Sequence, residues 1–254
     1  MILAADIGNT NIKFGVFDEG ALKYSFRLSA ALNKTSDEYG FNLKSMLSQS
    51  GFTTDEFEGA VVCSVNPNLN YTIEHMIDYY FKVKPIIVGA GIKTGLNIKY
   101  DNPKEVGADR IMGCLGAYYG YGGPCVVVDY GTATTFNAVS ERGEFLGGAI
   151  SIGIKSAADA LSRSAAKLPR VELVRPAKAI NKNTITNMQA GIVGGFIGLT
   201  EYIVRQIKAE MEGDPRVIAT GGLSEIIAPH TGVIDIVDRT LTLKGLYRAC
   251  LLNR

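Results

Sequence analysis

The chain has 254 residues, and 26 Lys and Arg against 25 Asp and Glu leave a formal net charge of +1. At 46% hydrophobic and 20% charged residues it reads as a folded globular protein of one large or two small domains, which excludes general disorder. Near-neutrality removes any overall electrostatic reason to bind nucleic acid or an anionic membrane.

The chain opens with an apolar strand, Leu3-Ala4-Ala5, that ends in Asp6-Ile7-Gly8-Asn9-Thr10. A second strand follows, then a turn at Asp18 to Gly20 and a third strand. Tyr39, Leu43, Met46 and Leu47 make a helical stripe behind Thr35 or Ser36, either of which is a suitable cap. Ala60 to Val65 reads as a strand, Ile73, Met76, Ile77, Tyr80 and Phe81 as a second helical stripe, and Pro85 to Val88 as a further strand. Asp109-Arg110 opens a helix whose apolar face is Ile111, Cys114, Leu115 and Tyr118. Ile111 to Val128 carries no charge and is long enough to raise the question of a membrane span. Gly120, Gly122, Gly123 and Pro124 divide it into helix, turn and strand.

The plan then repeats. Val126-Val127-Val128-Asp129-Tyr130-Gly131-Thr132-Ala133 matches the opening strand and turn, and at the same offset Val16 meets Val139, Asp18 meets Glu141 and Gly20 meets Gly143. Ile154, Ala157, Ala158, Leu161 and Ala165 form one helical stripe. A longer helix starts near Thr184, with Ile185, Met188, Ile192, Phe196, Leu199, Ile203 and Ile207 in phase. Arg216 to Thr220 and Ile234 to Val237 read as strands, and Leu243, Leu246, Tyr247 and Cys250 as one face of a final helix. Each half is three hairpin-linked strands followed by alternating helices and strands. That order implies an α/β fold with two mixed sheets, helices on their faces, and a ligand cleft where the strand ends meet. The expected domains are 1–120 and 121–254.

Cys63, Cys114, Cys125 and Cys250 are scattered, with no C-x-x-C and no H-E-x-x-H, so they read as core thiols of a reducing compartment rather than a zinc site. The two histidines, His75 and His230, and the lack of G-x-S-x-G leave little for a Ser-His-Asp hydrolase. Met1 to Ala5 is too short for a signal peptide, and the protein is expected in the cytoplasm without a membrane span.

Two segments suit phosphate. In Asp6 to Asn11, Gly8 permits a tight turn, Asn9, Thr10 and Asn11 add side-chain donors, and Lys13 adds a positive charge. A hairpin built from ordinary turn formers is the competing reading. Asp6 is negative and does not itself favour phosphate; its functional reading is to hold Mg²⁺, directly or through water. Asp129 to Thr135 repeats the geometry with three hydroxyls, which tips the balance toward a polyphosphate grip. Gly148 to Ser156 imitates a P-loop, but Ile154 separates Gly153 from Lys155, so the segment is not one.

On Asp6-Ile7-Gly8-Asn9-Thr10, on Tyr100-Asp101-Asn102-Pro103 with Gly107-Ala108-Asp109-Arg110, and on Asp129-Tyr130-Gly131-Thr132-Ala133-Thr134, the chain resembles the type III pantothenate kinases of the acetate kinase/sugar kinase/Hsp70/actin superfamily. The resemblance implies duplicated ribonuclease H-like (actin-like ATPase) domains with an interdomain cleft. It implies phosphorylation of pantothenate to 4′-phosphopantothenate, the first step of coenzyme A biosynthesis, with ATP and Mg²⁺. It implies Asp109 as proton acceptor, and ATP contacts from Asp6, Ile7, Gly8, Asn9, Thr10, Asn11, Ile12, Lys13 and Thr132. It further implies pantothenate contacts from Tyr100, Gly107, Ala108, Asp109, Arg110 and Thr184, Asp129 as ligand of a monovalent cation (K⁺ or NH₄⁺), and a homodimer. Two positions depart from the family pattern: Ile152 stands where proline is usual, and Asn181 where glycine is common.

Overall fold

The computed structural model describes residues 1–89 and 91–254. The chain divides into two compact units, one of Met1–Asn97, Asp101–Gly120 and Leu241–Arg254, the other of Ile98–Tyr100 and Tyr121–Thr240.

The first unit runs β1 (Ile2–Ile7), β2 (Asn11–Asp18), β3 (Ala21–Ser29), α1 (Ser36–Gln49), β4 (Gly59–Ser64), α2 (Asn70–Phe81) and β5 (Pro85–Ile87). Its sheet has the order β3-β2-β1-β4-β5, with antiparallel hairpins on one side of β1 and parallel strands on the other. Alternation puts Leu3, Ala5, Ile7, Ile12, Phe14 and Val16 on one face, where Tyr39, Leu43 and Leu47 of α1 and Ile73, Met76 and Ile77 of α2 cover them. Of the two candidate caps for α1, Thr35 is the one used. The Glu38 N–H donates to its Oγ1 at 3.2 Å, and its own N–H donates to Glu38 Oε2 at 2.7 Å. Beyond β6 (Asn97–Ile98), helix α3 (Ala108–Tyr121) buries Met112, Cys114, Leu115 and Ala117 together with Gly113 and Gly116. The expected face of Ile111 and Tyr118 is only half-buried. The glycines turn a narrow flank of α3 inward, which an apolar-periodicity rule does not register.

The second unit repeats the order with β7 (Cys125–Tyr130), β8 (Ala133–Val139), β9 (Glu144–Ile152), α4 (Ile154–Ser164), α5 (Thr184–Glu210), β10 (Arg216–Thr220), α6 (Ser224–Ile227) and β11 (Ile236–Val237). Its sheet reads β11-β10-β7-β8-β9-β6, which is the first sheet's order with one short edge strand added. Val126, Val128, Tyr130 and Phe136 pack against Met188, Ile192, Val193, Phe196 and Val204 of α5.

The duplication is real, but the single offset seen in the sequence is not the structural one throughout. Ile7 pairs with Ile12, so Gly8 to Asn11 makes the first turn, whereas Tyr130 pairs with Thr134 and leaves only Gly131 to Ala133. Leu3 lies opposite Val16 and Val126 opposite Ala138, so the counterpart of Val16 is Ala138, not Val139. Both second strands are irregular at the next step, Val16/Phe17 and Ala138/Val139, and a longer second turn then restores the original offset by Gly20 and Gly143. A one-residue slip moves a strand's side chains to the other face, so the shifted register decides which residues flank each aspartate.

The last helix returns to the unit in which the chain began. α7 (Leu241–Leu252) belongs to the first unit, although the sequence reading placed it in 121–254. It buries Leu243, Leu246, Ala249 and Cys250 and runs against β1, β4 and β2, with Tyr247 stacked on Phe17 at 4.6 Å. It also crosses α3 backbone to backbone. A Cβ on Gly245 would strike the Met112 carbonyl, and one on Gly116 the Leu241 carbonyl. Amphipathic spacing shows that a helix has a buried face but not which sheet receives it. All four cysteines are buried free thiols, and among the described residues no helix is long and apolar enough to cross a membrane.

Candidate active site

In the first unit the site begins at the β1–β2 turn. The Gly8 N–H donates to the Asn11 carbonyl at 3.0 Å, and a Cβ on Gly8 would come within 3.0 Å of that same oxygen. Close approach therefore favours glycine there, not a left-handed backbone. Asn9 and Thr10 are exposed and Asn11 is half-buried, so their side chains stand at the open end of the turn. Ile7 and Ile12 point into the core, which leaves only their backbone for a ligand.

Asp6 is 7% exposed, on the face opposite that core. Lys13 is its partner across the hairpin, with Nζ 3.5 Å from Asp6 Oδ2. Burial pushes the Asp6 carboxyl up, the Lys13 ammonium pulls it down, and the charge of Asp109 raises it again. On the parallel side the register partner of Asp6 is Cys63, whose fully buried thiol is pushed well up by burial and then by Asp6 and Asp109. Cys63, Asp6 and Lys13 thus form one row across β4, β1 and β2.

Asp109 lies in the first turn of α3, half-buried. Its Oδ1 accepts the Arg110 N–H at 2.8 Å and sits over Gly107, where a Cβ would come within 2.6 Å of it. Gly107 is what lets the carboxylate fold back over the chain. Just upstream, Asn102 organises a short helical turn, Pro103–Glu105, by accepting the Lys104 N–H at 3.3 Å and donating to Glu105 Oε1 at 2.7 Å. Ala108 and Arg110 are half-buried beside Asp109.

In the second unit Asp129 is half-buried near the end of β7, in register with Thr220 of β10 on one side and Thr135 of β8 on the other. Gly221, at φ +91, brings its backbone against this carboxylate. A Cβ there would strike Asp129 Oδ1 and come within 2.6 Å of the Tyr130 carbonyl. Thr132 is exposed at the turn, and its carbonyl accepts the Gly153 N–H at 3.2 Å and Ser156 Oγ–H at 3.1 Å. A Cβ on Gly153 would strike the Thr132 carbonyl, so the glycine of the false P-loop serves to dock α4 on the turn. One of the three expected hydroxyls is on the wrong face. Thr134 is fully buried beside Tyr130, whose phenol, hydrogen-bonded to Thr200 Oγ1 at 2.9 Å, burial raises to about 12.

Tyr100 also lies in this unit, its ring 6.2 Å from that of Phe145 and against Gly147. Thr184 is the exposed first residue of α5 and lines an apolar groove of about 720 Å³ with Ile152, Leu161, Met188 and Phe196. Asn183, just before it, caps α5 by accepting the Thr186 N–H at 2.9 Å. Both departures sit in ordered local surroundings. Ile152 ends β9 in register with Ala133, and Asn181 Nδ2 donates to the carbonyls of Lys178 and Ala179 at 2.7 and 3.3 Å. Thr220 is the residue of the site that sequence reading missed; the Thr220-Gly221-Gly222 run at the end of a strand is its only signal.

Among the described residues no cluster of three or more His, Cys, Asp or Glu side chains is set to hold a metal. A Mg²⁺ that arrives on nucleotide phosphates and keeps its waters needs only one or two carboxylates, and Asp6 fits that smaller demand.

A family model described as type III pantothenate kinase matches residues 2–206. Among solved structures, the chain is similar to a Campylobacter jejuni protein described as a conserved Baf family transcriptional activator, at 22% identity and TM-score 0.63, over 98% of this chain and 97% of that one. It is also similar to the activator of 2-hydroxyisocaproyl-CoA dehydratase from Clostridium difficile, solved with bound ADPNP, at 13% identity and TM-score 0.60, over 99% and 93%. A protein from Sinorhizobium meliloti described as a 2-dehydro-3-deoxygalactonokinase gives 12% identity and TM-score 0.61, over 98% and 96%. At these identities the structures establish the duplicated actin-like fold and nothing finer.

Proposed function

The chain belongs to the type III pantothenate kinase family, kinases that phosphorylate pantothenate in coenzyme A biosynthesis, and on that premise we propose how its residues divide the work. The turn of Asp6 to Lys13 and the Thr132 turn bind the phosphates of ATP through backbone N–H groups, the donors of Asn9, Thr10 and Asn11, and the Lys13 charge. Bound Mg²⁺ neutralises phosphate charge, and Asp6 is the residue that holds it, directly or through water. Asp129 holds a monovalent cation, K⁺ or NH₄⁺.

On the acceptor side Asp109 takes the proton of the primary hydroxyl of pantothenate as its oxygen attacks the γ-phosphorus. The bond from that phosphorus to the bridging oxygen breaks, ADP leaves, and 4′-phosphopantothenate results. Arg110 offers a planar fork to the substrate carboxylate, a match that lysine reproduces poorly. Gly107 and Ala108 shape the same segment, and Tyr100 and Thr184 supply further contacts. We take the working form to be a homodimer in the cytoplasm.

The observation that carries this reading is the position of Asp109. Folded back over Gly107, it is close enough to the phosphate-side carboxylate for its charge to act on Asp6. A base there serves an alcohol attacking a phosphate held by the β1–β2 turn. The test is Asp109→Asn with ATP and pantothenate: turnover falls while ATP still binds. Wild-type turnover in that variant would remove Asp109 from the role.

A further inference from the structure

The two units place the same carboxylate in two different rows. In the first, the neighbours of Asp6 across the strands are Cys63 and Lys13, and Lys13 brings an ammonium to 3.5 Å from the carboxylate. In the second, register puts Thr220 in the place of Cys63 and Thr135 in the place of Lys13. A thiol and an ammonium are replaced by two hydroxyls, and the row reads hydroxyl, carboxylate, hydroxyl. Paired residues on adjacent strands project to one face, so these three oxygen-bearing groups share a side of the sheet.

Two further observations bear on Thr220, which unlike the equally buried Thr134, also unpartnered among the described residues, is in register with Asp129. Its Oγ1 is buried, in a residue 1% exposed, and makes no hydrogen bond among the described residues. Buried hydroxyls in folded proteins are nearly always partnered, so this one calls for an explanation. The chain beyond it turns through Gly221 at φ +91, a conformation that brings backbone against Asp129 Oδ1 and the Tyr130 carbonyl. A side chain at Gly221 would fill that space.

We propose that Thr220 Oγ1, with Thr135 Oγ1 on the other flank, supplies neutral oxygen ligands to a compact monovalent cation held by Asp129. This rests on the reading that Asp129 is the cation's residue and adds the ligands that reading lacks. Asn137 Nδ2 donates to Thr135 Oγ1 at 3.1 Å, which fixes that hydroxyl while leaving oxygen lone-pair capacity for an ion. The ion takes the role that the Lys13 ammonium has in the first unit, a single positive charge beside the strand-end aspartate. K⁺ and NH₄⁺ resemble an alkylammonium head in charge and size, whereas a divalent ion asks for more carboxylate than this row contains. Thr220 is on this account a ligand of the ion and acts on the reaction only through it.

The test uses the full chain without substrates. Its melting temperature is measured in matched KCl, NaCl and choline chloride, and the K⁺ concentration for half-maximal turnover is measured separately. The expected result is stabilisation of the wild type by K⁺ beyond the other salts. In Thr220→Val this extra stabilisation is lost, and the half-saturating K⁺ concentration rises about ten- to a hundredfold. Thr220→Ser retains the response, and so does Thr134→Val, whose deleted hydroxyl is equally buried but on the opposite face. Should Thr220→Val not fold, Thr220→Ala removes the same oxygen without adding a second methyl. An unaltered K⁺ response in the Val or Ala variant overturns the role of Thr220 while leaving Asp129 in place. No K⁺-specific effect in the wild type overturns both.

Discussion

Lys13 Nζ stands 3.5 Å from Asp6 Oδ2 across the β1–β2 pair, and the carboxylate it faces is buried. Burial still outweighs this ammonium, so the folded Asp6 holds its proton more tightly than an unfolded aspartate at 3.8. A carboxyl raised in the fold favours folding fully below the unfolded value, and that contribution is lost as pH rises through the folded value. At neutral pH the ionised Asp6 therefore lowers stability. In metal-free buffer Asp6→Asn is expected to melt above the wild type at pH 7, and the gap is expected to close as pH falls toward 4. Thermal melts across pH check this. Turnover of the same variant should drop by at least about 10²-fold, the cost of losing one group from a charge-stabilising site.

Asp109→Asn should lower kcat by about 10²–10⁴-fold, the usual worth of a general base, with ATP affinity retained. It also removes a charge that raises Asp6, so the Asp6 carboxyl should titrate lower than in the wild type. Steady-state kinetics and carboxyl titration by NMR measure the two effects independently. A purely structural Asp109 predicts neither a selective loss of kcat nor a shift at Asp6.

Gly245→Ala places a methyl group on the Met112 carbonyl where α7 crosses α3. Backbone there has no flexible side chain to give way. A loss of about 1–3 kcal/mol is expected, seen as a lower denaturant midpoint, with turnover also reduced because the first turn of α3 carries Asp109. Ser at the same position should be similar.

Gly221→Ala combines a left-handed backbone with a Cβ against Asp129 Oδ1. The backbone part alone costs about 1–2 kcal/mol. The displaced carboxylate should also make turnover insensitive to K⁺, which a comparison of rates in KCl and NaCl would show.

The sequence carried most of this fold because its signals are local. Alternation in β1 and β2, the cap at Thr35 and the stripe of α2 each reflect forces within one element. The strand-end aspartates were legible because they interrupt apolar strands beside glycines. The register around them was not. Trading one residue between two turns keeps Gly20 and Gly143 aligned while shifting the strand between, so the facing of Thr134 and the pairing of Asp129 with Thr220 and Thr135 appear only when hydrogen-bonded strands are seen. Likewise the place of α7 depends on the glycine-lined crossing at Gly116 and Gly245, a contact between distant segments that spacing rules cannot express.

The most direct measurement is a quantitative assay of ADP and phosphorylated product with ATP, Mg²⁺, K⁺ and pantothenate, beside a reaction lacking pantothenate. The account predicts ADP and 4′-phosphopantothenate in equal amounts, and almost no ADP without the acceptor. ADP release that ignores pantothenate, or a product phosphorylated elsewhere than on the primary hydroxyl, would contradict it.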